Sequence, residues 1–469
     1  MALIAMLAGC GGDDGTLVSG SPTPTPSPTP TPSPTPTACT VRDRQTWAAA
    51  QLREWYLFPE TLPASLDPGP YPSVETYVDA LTATARAQGR DRYFTYVTSI
   101  AEEDAYYASG ESAGFGFRLA SDGASRIFVA EAFEGAPALA AGIDRGTEIV
   151  AIGTSPATLR TVSSIIASEG TAGVTAAFGP DSAGTSRTIQ LSGTGGARVV
   201  TLVKAIYELT PVSSRYGARI LDDGGRRIGY VNLRTFITTA DPALRAAFAQ
   251  FRAAGITEVI VDLRYNGGGL VTTAELLGDL LGGNRFTSDV FSSTSFRPEK
   301  SSENRSRNFQ PQPQSVSPLG IAFIGTGGTA SASELVINAF IPYLHANAAL
   351  VGTNTYGKPV GQIALDRAAC DDRLRVIAFA TQNAARQGNY FNGLAANVEA
   401  SCQAPDDIGH ALGDPQESSI RQALDYLAGK SCTRIASGQS GQALRAAARQ
   451  ELLTPARPST AQREVPGAF

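Results

Sequence analysis

Glu258-Val259-Ile260-Val261-Asp262-Leu263-Arg264-Tyr265-Asn266-Gly267-Gly268-Gly269 is the stretch that decides the fold. Its apolar run does not alternate with polar residues. A strand that is apolar on both faces belongs in a parallel sheet covered by helices on both sides. A tight glycine turn follows it, then a helical pattern through Leu280. Upstream, Ile228 to Leu233 reads as a strand and Pro242 to Ala254 as an alanine-rich amphipathic helix. Downstream, Pro311 to Pro318 is a loop, and Leu319-Gly320-Ile321-Ala322-Phe323-Ile324 is a second buried strand that turns into a helix at Ser331. Ala349-Leu350-Val351-Gly352 is a third strand. Strands alternating with helices predict an α/β core over residues 206–432, with its special residues just after strand ends.

Two segments after those ends carry chemistry. Thr329-Ala330-Ser331-Ala332-Ser333-Glu334 opens a helix, and Tyr356-Gly357-Lys358-Pro359-Val360-Gly361-Gln362 follows the third strand. A serine hydroxyl needs a base to take its proton. The chain has only two histidines, His345 and His410. Ser331 and His345 would lie on one helix, ~21 Å apart, so that dyad is excluded. A lysine set among apolar residues loses its charge more easily and can serve as the base; Lys358 fits. The helix N-terminus at Ser331 favours developing negative charge. The Ala332 N–H and the Gly268 N–H are candidate oxyanion donors. Competing readings are Ser331 as a plain N-cap, Ser333 as the nucleophile and Lys358 as a solvated loop lysine. Asp262 and Arg264 read as a structural pair at the strand end.

Residues 112–205 differ in character. Gly114-Phe115-Gly116-Phe117-Arg118-Leu119 is a glycine-punctuated strand start, and Arg126 to Ala130 is a strand. Gly135 to Gly142 is a short helix with a glycine stop, Thr147 to Gly153 a buried strand, and Thr161 to Ala167 an amphipathic helix. This order, and above all the segment APALAAGIDRGTEIVAIG, resembles a PDZ domain. The resemblance implies that Gly114, Phe115, Gly116 and Phe117 form a loop whose backbone N–H groups grip the carboxylate of a peptide that adds to a sheet edge. A ligand-free β-sandwich is the alternative.

Three segments in order after that module, Asp262 to Gly269, Ala330 to Glu334, and Tyr356-Gly357-Lys358 with Gln362, resemble the C-terminal processing (tail-specific) serine peptidases. Together with the PDZ-like match they cover residues 112 to about 415. The resemblance implies α/β and β modules: an N-terminal helical region, a PDZ-like domain and an α/β (ClpP/crotonase-like) serine peptidase core. It implies Ser331 as nucleophile, Lys358 as general base, Gln362 as the group that orients the lysine, and an oxyanion hole from Gly268 and Ala332. Gly267 and Pro359 stand where the family commonly has proline and glycine. The function expected is a serine endopeptidase that cleaves proteins or peptides selected through apolar C-termini, without cofactor. The alternative is a non-catalytic, peptide-binding envelope lipoprotein of the same fold.

The N-terminal part speaks to location. Leu7-Ala8-Gly9-Cys10 resembles a bacterial lipoprotein cleavage site, which implies a signal peptide over 1–10, lipidation of Cys10, and anchoring in the cell envelope facing the periplasm. Gly11, not aspartate, favours the outer membrane. Residues 11–38 form a Pro/Thr-rich linker, whose SPTPTPSPTPTPSPTPT run is a polyproline II spacer of roughly 50 Å. Residues 39–111 read as helical, with an apolar stripe from Trp47 to Leu57. Excluding Cys10, four cysteines permit three connectivities. Cys39 and Cys432 bracket the folded part, and Cys370 and Cys402 bracket one segment, so Cys39–Cys432 and Cys370–Cys402 are expected. The isolated histidines and the absence of a CxxC pair argue against zinc. A formal net charge of −5 offers no attraction for nucleic acid. Residues 433–469, polar and rich in alanine and arginine, read as a partly helical or disordered tail without chemistry.

Overall fold

The computed structural model describes residues 39–193, 196–436 and 451–469. The expected signal segment, the Cys10 lipidation site, the linker 11–38 and residues 437–450 of the tail lie outside the described residues.

Helix α1 (Val41–Trp55) starts at Thr40, whose hydroxyl accepts from the Asp43 N–H at 3.2 Å, a standard N-cap. Helix α2 (Val74–Leu81) starts from a Ser73–Thr76 capping box. Ala48 and Leu52 of α1 pack with Val74, Tyr77 and Val78 of α2 onto Leu374, Val376 and Ile377. Those last three residues belong to an antiparallel sheet ordered Tyr96–Ser99, Asp372–Gln382, Val290–Phe296, Arg305–Asn308, with Val360–Arg367 also paired to Asp372–Gln382. The sequence reading contains none of the strands after residue 290 in this sheet. Helix α3 (Ile100–Ser109) ends at Gly110, whose φ of 78° supplies the left-handed stop.

The β-module is antiparallel throughout. Its order is Glu451–Leu452, β1 (Phe117–Ser121), β2 (Ile127–Ala132), β3 (Glu148–Gly153), β4 (Ser186–Ser192) and β5 (Arg198–Val203). Helix α4 (Val162–Ala177) runs well beyond the expected Thr161–Ala167 and is broken at Gly170. It covers the module through Val162, Ile165 and Val174, packed with Phe115, Phe117 and Leu119.

The core sheet runs β6 (Ala218–Asp223), β7 (Arg226–Asn232), β8 (Glu258–Asp262), β9 (Gly320–Gly325), β10 (Ala348–Gly352), β11 (Ala400–Gln403). Only the first pair is antiparallel. Val259 and Val261 pack on the side of α5 (Ala240–Ala253), α6 (Val271–Leu281) and α7 (Ala332–Leu344), and Ile260 on the side of α8 (Ser418–Leu427). Both faces are covered, as the unbroken apolar run of β8 requires; each such buried side chain stabilises by about 1.5–3 kcal/mol.

The disulfides are Cys39–Cys370 and Cys402–Cys432, with Cα separations of 5.6 and 5.4 Å. This corrects the expected Cys39–Cys432 and Cys370–Cys402 pairing. Cys39 precedes α1, which lies on the strand that starts just after Cys370. Cys432 lies beside β11, where the Gln403 N–H donates to Thr433 O at 2.7 Å. Bracketing along the chain carried no information about either neighbourhood.

Asp262 and Arg264 are the structural pair expected. Arg264 is fully buried and reaches Asp262 at 2.9 Å, Glu417 at 2.8 Å and Asp406 at 3.1 Å. A second buried network joins the β-module to the core. Glu131 accepts from Arg118 Nε at 3.2 Å, Arg234 Nε at 2.6 Å and the Tyr216 hydroxyl. A buried charge survives only with such partners. Burial raises the Glu131 carboxyl, but Arg234 and Arg118 outweigh it and hold it down to about 2.

Candidate active site

Ser331 stands between β9 and α7. Its φ of 55° and ψ of −114° differ from the extended backbone of an ordinary N-cap. A non-glycine residue held there costs on the order of 1–3 kcal/mol, a strain that gathers at functional sites. Ser333 is fully buried and donates to Asn266 O at 3.1 Å, so its hydroxyl is committed to the core.

Glu334 organises the site. Its Oε1 accepts from the Thr355 hydroxyl at 2.6 Å and the Gly357 N–H at 2.7 Å. Its Oε2 accepts from the Ser331 N–H at 3.1 Å and the Lys358 N–H at 2.7 Å. One buried carboxyl therefore ties the serine turn to the lysine loop. Burial pushes its pKa up, opposed by these four donors.

Lys358 Nζ donates to Gln362 Oε1 at 2.9 Å, and the Gln362 amide donates in turn to Phe94 O. The ammonium lies 5.1 Å from the Phe94 ring centre. Desolvation lowers the lysine pKa, and the Glu464 carboxylate opposes that shift. Arg92 also holds the loop, donating to Tyr356 O at 2.8 Å and Phe391 O at 3.1 Å.

Gly268 faces the serine: a Cβ built on it would lie 2.8 Å from Ser331 Cβ. Its φ of 125° also demands glycine. Its N–H, expected to point at an oxyanion, donates to Asn266 Oδ1 at 2.9 Å in this state. Ala332 opens α7, so its N–H has no intrahelical partner.

The loop before β1 is occupied. The Gly116 and Phe117 N–H groups donate to Phe469 O at 2.9 and 3.4 Å, and the Phe469 N–H donates to Phe117 O at 2.9 Å. Phe115 is buried beneath, and a Cβ on Gly114 would meet the Phe469 carbonyl carbon at 2.7 Å. Residues expected to carry no chemistry thus lie against the predicted loop. They also border the cleft of about 2040 Å³ that contains Lys358, Phe94 and Gly267.

His345 and His410 are exposed and pair with Glu399 and Asp407, each at 2.7 Å. No cluster of His, Cys, Asp and Glu able to hold a metal exists among the described residues. No helix among them is long and apolar enough to cross a membrane. Reading the sequence did not single out Glu334, Phe94, Arg92, Asn266 or Glu464. The Glu three residues after Ser331 is a capping-box signal that marks only the first of these.

With this geometry in place, residues 227–390 match the family model Peptidase family S41. That segment holds Ser331, Lys358 and Gln362, and its homologues are C-terminal processing peptidases. The chain is 28% identical over 273 residues to the chloroplastic C-terminal processing peptidase of Tetradesmus obliquus, covering 55% of this chain and 54% of that protein. It is 31% identical over 269 residues to the chloroplastic carboxyl-terminal-processing peptidase 3 of Arabidopsis thaliana, covering 52% and 47%. The chain spans about half the length of the curated relatives it matches. A solved structure from Bacteroides fragilis assigned to the S41 proteases superposes with a TM-score of 0.61 at 20% identity, over 82% of this chain and 97% of that one. The mixed α/β fold is therefore one also seen among S41 protease structures.

Proposed function

We propose that the protein is a serine endopeptidase that uses Ser331, Lys358 and Gln362 and selects substrates by their C-termini. The observation that carries this reading is the Glu334 bridge, which ties the strained serine to a lysine whose amine is desolvated and oriented by Gln362. The neutral Lys358 amine takes the Ser331 proton as the hydroxyl attacks the scissile carbonyl carbon. The Ala332 N–H meets the oxyanion, joined by Gly268 when Asn266 Oδ1 lets go. The lysine ammonium returns its proton to the leaving amine. Water, deprotonated by the same amine, then hydrolyses the acyl-enzyme.

In this reading residues 112–205 are a PDZ-like module on a ClpP/crotonase-like core, and Gly114 to Phe117 capture the substrate carboxylate. The Gly116 and Phe117 N–H groups, side by side at a sheet edge, support that role. A lipid anchor at Cys10 would place the enzyme at the bacterial envelope, facing the periplasm.

The test is cleavage of an unstructured protein by the wild type, Ser331→Ala and Lys358→Ala. Both variants should lose about 10³-fold or more in kcat/KM. Equal cleavage by all three would refute the assignment, and no cleavage by any of them would favour the peptide-binding alternative.

A further inference from the structure

Residues 451–469 thread through both sites that the proposed function uses. Glu451 and Leu452 pair antiparallel with β1, opposite Ser121 and Ala120, and the Leu453 N–H donates to Leu119 O at 3.0 Å. The chain then leaves the strand and forms helix α9 (Thr460–Glu464), capped by Ser459. It returns along the same edge: the Leu119 N–H donates to Gly467 O at 2.9 Å, and Phe469 closes the pairing at Gly116 and Phe117. Added strands of this kind are how extended peptides dock on a free sheet edge.

The turn between these two passes crosses the catalytic cleft. The Gly267 N–H, one residue before the predicted oxyanion donor, donates to Glu464 O at 2.9 Å. The three atoms nearest to a Cβ on Gly267 would all belong to the tail, Arg463 O at 2.2 Å and Glu464 Cα and C at 3.1 Å. Arg118 Nη1 donates both to Tyr265 O at 3.0 Å and to Pro466 O at 2.5 Å, and so clamps the tail to the glycine turn. The Phe469 ring is buried beside Phe178, with centres 5.4 Å apart.

Resting on the reading of groove and cleft as peptide sites, we infer that residues 459–469 are an intramolecular occupant of both sites. They keep the enzyme self-blocked until a polypeptide segment in which an aromatic residue follows a small one displaces them. The ligand class follows from the contacts. The Phe469 side chain sits in a pocket of Phe115, Phe117 and Phe178, and the residue before it is alanine. The Glu464 carboxylate also favours the charged form of Lys358, the form that cannot act as a base. A binding site filled by its own chain shows an apparent affinity reduced by the fraction of molecules in which it is empty.

The test uses the full chain carrying Ser331→Ala, so that binding is read without turnover, and a fluorescent peptide with the sequence of residues 465–469, which lacks the Arg463 and Glu464 atoms that a Cβ on Gly267 would meet. Two further substitutions loosen the tail from opposite ends. Phe469→Ala empties the pocket, and Gly267→Ala drives a Cβ into Arg463 O. Each should tighten peptide binding on the order of tenfold, and the peptide should speed amide exchange at Gly467 to Phe469. In the Ser331 background Phe469→Ala should raise cleavage of an unstructured protein by a similar factor. Unchanged or weaker peptide binding by both variants, with a fall in melting temperature, would show that the tail is a fixed structural element and overturn the inference. Tightened binding alongside an inert Ser331 would leave the inference standing and remove the peptidase reading alone.

Discussion

Ser331 and Lys358 hydrogen-bond through their main-chain nitrogens to the same atom, Glu334 Oε2, at 3.1 and 2.7 Å. The proposed nucleophile and base therefore share one buried acceptor, and their relative position depends on a residue to which the proposal gives no part in proton transfer. Glu334→Ala would remove both carboxylate oxygens and leave four donors without an acceptor, each worth about 1–3 kcal/mol when buried and unmade. It should cost about 3 kcal/mol or more of stability and lower kcat by about 10²-fold at temperatures where the variant is folded. Glu334→Gln, which keeps one acceptor oxygen, should recover part of both. Denaturant unfolding and steady-state kinetics on the two variants check this, and an unaltered kcat in Glu334→Ala would refute the positioning role.

In the proposed mechanism Lys358 acts only when neutral. Burial lowers its pKa below the ordinary lysine value, and Glu464 pulls it back up. Peptidase kcat/KM, which reports the free enzyme, should rise with pH through an inflection below about 10.4. Glu464→Gln should move that inflection to lower pH, and Gln362→Ala should lower the plateau. A profile identical in wild type and Glu464→Gln would show that the tail carboxylate does not act on the base.

Glu131 and Asp406 are both held down to about 2, against burial, by Arg234 and Arg118 in the first case and by Arg145 and Arg264 in the second. Ordinary Glu and Asp titrate near 4.3 and 3.9. Their contribution is thus fully present above about pH 4.3 and is lost as pH falls towards 2. Melting temperature should drop steeply over that window. Glu131→Gln, which leaves two buried arginines short of a partner, should be less stable by about 3–5 kcal/mol at pH 7 and should lose less between pH 4.5 and 2.5. Parallel curves for the two proteins would count against this network.

Cys402 and Cys432 close a loop with a sequence separation of 30, Cys39 and Cys370 one of 331. Replacing either pair by serine should cost about 2–5 kcal/mol by denaturant unfolding. Loss of the Cys39 bridge should also reduce activity, because α1 and α2 support the sheet whose strand carries Gln362.

The parts legible in the sequence were those whose signal is local. β8 and β9 announce themselves because Val259 to Val261 and Ile321 to Ile324 are apolar whichever face they take. Ser331 and Lys358 stand out because each sits at a glycine-rich turn after a strand. Glu334 was not singled out, since its capping-box spacing is a weak signal and its role arises from the distant Lys358 loop. Phe94 and Arg92 reach the site across more than 260 residues of chain, and no spacing records that. The strands from Val360 to Gln382 alternate in burial, a weaker pattern than a run apolar on both faces. The tail was the largest gap. Its composition is that of a solvated segment, and the burial of Phe469 depends on a pocket built by Phe115, Phe117 and Phe178.

The central claim is that Lys358 activates Ser331. Treatment with a serine-directed phosphonylating reagent, followed by intact mass and peptide mapping, tests it most directly. The account predicts a single adduct on Ser331, retained in Ser333→Ala and lost in Lys358→Ala. An adduct on Ser333, or one on Ser331 that forms equally fast without the lysine, would contradict it.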